Sequence, residues 1–72
     1  MNNFEEALQI FLELYQINPN NISLMMSITK CYYELKDYEN SLTVANKILA
    51  ILPESEEAQD IVKKIQKEKD KK

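Results

Sequence analysis

A chain of 72 residues with a formal net charge of −3 forms one small domain, near the lower limit at which an apolar core alone holds a fold together. It contains no arginine and no histidine, and its acidic balance argues against nucleic acid as a partner, because phosphate contacts require clustered Lys and Arg. Cys31 is the single cysteine, so an internal disulfide is excluded and a reducing compartment is expected.

Hydrophobic residues make up 44% of the chain, enough to fold, and glycine is absent. Tight hairpins between strands need glycine for positive φ, so the composition favours helices with short connections. The first predicted helix carries Phe4, Ala7, Leu8, Phe11, Leu14 and Tyr15 at helical spacing, with Asn3 placed to cap it. A second, opening after Asn21, carries Leu24, Met25, Ile28, Cys31, Tyr32 and Leu35. The third follows Asp37 and carries Tyr38, Leu42, Ala45, Ile48, Leu49 and Leu52. A thinner stripe of Ala58, Ile61, Val62 and Ile65 follows Ser55. Pro19 and Pro53 each stand two residues before a cap and end the preceding helix. Near Lys36, a left-handed helix stop would cost about 1 kcal/mol for a non-glycine residue, so a tighter or differently shaped turn is expected there.

Charge is uneven along the chain. Residues 63–72 hold six lysines against two acids, and the rest is acidic. The tail reads as a solvated helix end whose lysines complement the helix dipole, with attraction to an acidic partner or an anionic membrane as the sharper alternative. The longest apolar run, Ile48 to Leu52, is far too short to span a bilayer, and the N-terminus lacks the pattern of a signal peptide. An intracellular, cytoplasmic protein without a membrane partner is expected.

Shifted by 34 positions, the sequence repeats itself: Phe4 falls on Tyr38, Ala7 on Ser41, Leu8 on Leu42, Leu14 on Ile48, Ile17 on Ile51 and Pro19 on Pro53. With this period and these residues the chain resembles the tetratricopeptide repeat (TPR) family. In that alignment Met25, Ile28, Thr29, Tyr32, Tyr38, Ser41 and Pro53 occupy the family's sites, while Ala45, Leu14 and Ile48 depart from its usual sizes. The resemblance implies an all-α, antiparallel helix-turn-helix solenoid of four helices. Residues 2–21 would be the second helix of a truncated repeat, 22–55 a complete repeat, and 56–72 a capping helix with the basic tail.

Chemistry is sparse. Without histidine the usual general base and the commonest metal ligand are missing. Cys31 lies on an apolar stripe, a packing position. Asp37, Glu39 and Asn40 lack the spacing and glycine of a calcium loop. Glu5, Glu6, Glu56 and Glu57 stand at helix starts, where the dipole favours them. No catalysis, no cofactor and no metal are expected.

The expectation is instead a protein–protein interaction module. The resemblance implies a concave face lined by Ser23, Met26, Ser27, Lys30, Tyr33 and Glu34, on which a peptide or partner helix docks; Met26 and Tyr33 could equally serve packing. The family's clamp for chaperone C-termini needs several lysines and asparagines there, and only Lys30 fits. Alternatively, the segment self-associates. The first helix opens the chain without a covering partner, so Phe4, Leu8 and Phe11 would form a seam that joins a longer solenoid or pairs two copies as a homodimer.

Overall fold

Four polar side chains set where the helices start. The computed structural model describes residues 3–70; Met1, Asn2, Lys71 and Lys72, the last two belonging to the expected basic tail, lie outside the described residues. The helices are α1 (Phe4–Ile17), α2 (Ile22–Glu34), α3 (Tyr38–Ile51) and α4 (Glu56–Asp70). Asn3 Oδ1 accepts the Glu6 N–H at 3.0 Å, and Asn21 Oδ1 accepts that of Leu24 at 3.1 Å. Asp37 Oδ1 accepts the Asn40 N–H at 3.4 Å, and Ser55 Oγ accepts that of Ala58 at 3.3 Å. Each satisfies an N–H that the first turn of a helix leaves without a carbonyl. The expected caps are therefore all in use, and the fold is all-α among the described residues.

The ends repeat as well. The Asn18 N–H closes α1 on the Leu14 carbonyl at 2.9 Å, and 34 residues later Leu52 closes α3 on Ile48 at 2.7 Å. Pro19 and Pro53 follow, and neither can continue a helix.

The end of α2 differs from the expectation. Lys36 is left-handed, with φ 63°. Its N–H donates to the Tyr33 carbonyl at 3.0 Å, and the Asp37 N–H donates to Tyr32 at 2.9 Å. This paired bonding is the Schellman arrangement, built here on lysine instead of glycine. Two satisfied carbonyls, and an Asp37 freed to cap α3, offset the cost of the side chain.

Consecutive helices pack as antiparallel neighbours, and α2 also touches α4. The α2–α3 contact is close because small residues meet there. Thr29 and Ser41 are both fully buried. The Ser41 hydroxyl donates to the Thr29 carbonyl at 2.8 Å, and the Thr29 hydroxyl donates to the Met25 carbonyl at 2.8 Å. No buried side-chain nitrogen or oxygen among the described residues lacks a partner. Around this crossing Met25, Met26, Ile48, Ala58, Ile61 and Ile65 form one core cluster. Buried Met25 and Ile28 lie on α2, Ala45 and Ile48 on α3, and Ala58 and Ile65 on α4, whereas α1 contributes no fully buried residue.

Burial pushes the Cys31 thiol up, and burial together with the Asp37 carboxylate pushes the Tyr32 phenol up. The folded chain therefore holds these protons longer than the unfolded one. Their contribution is whole below the ordinary thiol and phenol values and is lost as pH rises through the raised ones. Urea midpoints should accordingly fall on the alkaline side, and Cys31→Ala should remove part of that slope; a flat alkaline profile would contradict it.

Two further outcomes test the helix ends and the crossing. Ser41→Ala removes one buried hydrogen bond and should cost about 1 kcal/mol, a fall of roughly 4–8 °C in melting temperature. Ser41→Leu overpacks the crossing and should cost about 1–3 kcal/mol more. Lys36→Gly relieves the left-handed backbone and should raise the urea midpoint, with a gain of up to about 1 kcal/mol.

Candidate functional site

α2 is the one helix flanked on three sides, by α1, α3 and α4. Its C-terminal half forms the floor of an open cavity of about 320 Å³ lined by Phe4, Lys30, Tyr33, Glu34, Ile61 and Lys64. Phe4 comes from the first turn of α1, and Ile61 and Lys64 from one face of α4 at a spacing of three residues.

Each wall has a local cause. Lys30 Nζ lies 2.9 Å from the Glu57 carboxylate, tying the middle of α2 to the start of α4. Both side chains are more than half exposed, so the pair sets geometry more than stability. Beneath it, Met26 packs in the core cluster with Ala58, Ile61 and Ile65. Tyr33 is half-buried against the same cluster, and its ring meets that of Tyr38 at 5.7 Å, tilted by 52°. This contact holds the Tyr33 ring in place as cavity wall. The Tyr38 phenol is pushed up by burial, and further by Glu68, Tyr33 and Glu34, so negative charge gathers at that end.

The cavity thus combines an aromatic and aliphatic interior with rim groups of both signs. Lys64 has no carboxylate partner among the described residues and can donate to a carboxylate or a backbone carbonyl. Glu34 can accept from an N–H or an ammonium.

The structure gathers some of the expected residues and separates others. Lys30, Tyr33 and Glu34 line one cavity. Met26 is buried at 9% exposure and belongs to the core. Ser23 and Ser27 lie on the same helix but outside the cavity, roughly 5–10 Å along the axis from Lys30; the Ser27 hydroxyl donates to the Ser23 carbonyl at 3.2 Å. Phe4, expected in a self-association seam, is one of the residues that line the cavity. Leu8 and Phe11 of that seam are half-buried.

The contributions of Ile61 and Lys64 were missing from the sequence reading. Their helix was expected only to cap, yet Ile61 and Lys64 already stood one turn apart on it. Cys31 is buried, as its stripe position implies. The Asp37 carboxylate is engaged by Asn40, whose backbone and side-chain N–H groups both donate to it. Among the described residues no cluster of three metal-ligating side chains forms, and no helix is long and apolar enough to cross a membrane.

Comparison with known proteins changes the family assignment. A family model described as RMD1-3, regulator of microtubule dynamics protein 1-3, matches residues 2–71. Neither a curated protein nor a solved structure gives a match. The match overturns the tetratricopeptide assignment made from the 34-residue spacing. That spacing, its small crossing residues and its prolines report how antiparallel helix pairs stack, and an architecture is shared more widely than a family. With residues 2–71 of its 72 matched, the chain belongs to the RMD1-3 family, regulator of microtubule dynamics protein 1-3.

Proposed function

We propose that this chain is a non-catalytic protein-binding module that acts in the regulation of microtubule dynamics, in the cytoplasm, by docking a peptide or partner helix in the cleft between α2 and α4. The observation that carries this reading is the cavity of Phe4, Lys30, Tyr33, Glu34, Ile61 and Lys64. The family description supplies the cellular process.

In this reading one apolar side chain of the partner enters between Phe4, Tyr33 and Ile61. Lys64 and Glu34, on opposite sides, fix the partner's backbone or its charged groups. An aromatic floor held by a neighbouring ring is already ordered before binding, which lowers the cost of association. A cavity of about 320 Å³ takes one or two side chains. A standard interface buries about 800 Å² on each partner, so affinity through this cleft alone should be modest.

The test uses the purified chain in a dynamic microtubule assay. The wild-type chain should change growth rate or the frequency of switching to shrinkage. Lys64→Glu combined with Glu34→Lys should abolish the change, with circular dichroism unaltered because both side chains are exposed. Lys30→Ala breaks only an exposed ion pair and should alter stability by under about 1 kcal/mol. Unchanged microtubule behaviour with the folded wild-type chain, or full activity in the double variant, would sink the reading.

A further inference from the structure

Lys30 and Lys64 are equivalent under the 34-residue shift and both line the cavity, yet their charges are used differently. Lys30 is paired with Glu57 at 2.9 Å. Lys64 and Lys67 of α4 are both exposed, and neither pairs with a carboxylate among the described residues. Lys67 lies in the last turn of α4, where the negative end of the helix favours a cation; Lys64 lies a turn further back, beyond the reach of that effect. The core does not call for them either, since α4 packs through Ala58, Ile61 and Ile65. Two ammonium groups one turn apart repel each other, so the helix gains nothing from having them as neighbours.

The internal equivalence shows which way they face. Lys67 corresponds to Tyr33, the aromatic wall of the cavity, as Lys64 corresponds to Lys30. Both therefore stand on the side that α2 and α4 turn to the cleft. A helix following α4 would instead cover Gln59, Lys63 and Gln66, which match Met25, Thr29 and Tyr32; Thr29 is the residue that α3 crosses. Lys64 and Lys67 stay open whatever follows.

The charge around them selects the kind of anion. Asp60 and Glu68 stand one turn before and after Lys64, and Glu34 and Glu68 gather negative charge at the Tyr38 end. The positive field is thus a narrow strip along α4. A flat anionic membrane would meet these acids and the rest of a chain of net charge −3 as well. It would also find no apolar side chain to bury, because the exposed positions of α4 are all polar. A single extended strand meets the strip alone. From Ile61 to Lys67 the helix rises about 9 Å, the length of roughly three extended residues.

We propose that Lys64 and Lys67 form a track for the carboxylates of an extended acidic peptide. This rests on the cleft reading above and specifies its partner: the segment seats an apolar side chain against Ile61 and carries Asp or Glu within the next three residues. Lys64 meets the first carboxylate at the cavity rim, and Lys67 meets the next one beyond it. With Lys30 held by Glu57, the track belongs to α4 alone.

The probe is a labelled synthetic peptide, one leucine followed by a run of glutamates, titrated into the full chain and followed by fluorescence anisotropy. Saturable one-to-one binding is expected, weakening as salt rises. Glutamines in place of the glutamates, or Lys67→Glu in the chain, should weaken it by about tenfold or more, and Lys67→Arg should leave it nearly unchanged. Lys67 is exposed and lines neither the cavity nor the core, so circular dichroism should be unaltered. Lys63→Glu makes the same change of net charge on another face and should weaken binding less than about threefold. A peptide with serine for leucine separates the two readings. Binding that needs the leucine but not the glutamates leaves the cleft standing and overturns the track. Binding that ignores the leucine yet falls with Lys67→Glu supports the track and removes the cleft. Absent saturable binding to the folded chain, equal losses from Lys63→Glu and Lys67→Glu, or displacement of the peptide by phosphatidylserine vesicles overturns the inference. So does sedimentation showing a micromolar dimer that Lys67→Glu dissolves, since a second copy would then own the track.

Discussion

Everything in this fold follows from how closely α2 and α3 approach. Side chains larger than Thr29 and Ser41 would hold the two helices apart. Instead a hydroxyl of one helix bonds the backbone of the other at 2.8 Å, with both residues fully buried. A hydroxyl buried without a partner would cost about 1–3 kcal/mol, so this hydrogen bond also fixes the register of the crossing. Shifted by one turn, Ser41 would lose its acceptor, and Ile48 would lose its place in the core cluster. The reach of α4 across α2 depends on that register, because Met26 and Ile48 share the cluster with Ala58, Ile61 and Ile65.

The cleft is a product of the same crossing. With α3 held low against α2, α4 comes round far enough for Glu57 to meet Lys30 and for Ile61 and Lys64 to stand beside Tyr33. Tyr33 itself leans on Tyr38, the first residue of α3. The left-handed Lys36 allows this by turning the chain within three residues. Local backbone conformation, helix packing and the proposed binding surface are thus links of one chain of causes.

Much of the architecture was legible because it is encoded locally. Asn3, Asn21, Asp37 and Ser55 act within their own first turns, so a reading of neighbours found them. Ser41 entered instead through the resemblance to the tetratricopeptide family, as a residue at one of that family's sites, and the structure buries it against Thr29. The Lys36 turn was misjudged because propensity counts the cost of a left-handed lysine but not the two hydrogen bonds and the cap that offset it. The site was only partly legible: the stripe of Lys30, Tyr33 and Glu34 lies on one helix, whereas Phe4 and Lys64 are brought to it from 26 and 34 residues away from Lys30. Met26 stood on the same stripe, but a helical wheel does not distinguish a groove from the neighbour that fills it. Family identity was not legible at all, since the repeated features are those any stack of helix hairpins needs.

Hydrogen–deuterium exchange of the chain with and without assembled microtubules tests the central claim most directly, namely that this packing exists to present the α2–α4 cleft to a protein partner. Slowed exchange should appear in the peptides holding Lys30 to Glu34 and Ile61 to Lys64, with the interior of α3, already protected by the crossing, unchanged. Slowing confined to the outer face of α3, or no difference at saturating microtubules, would contradict the account.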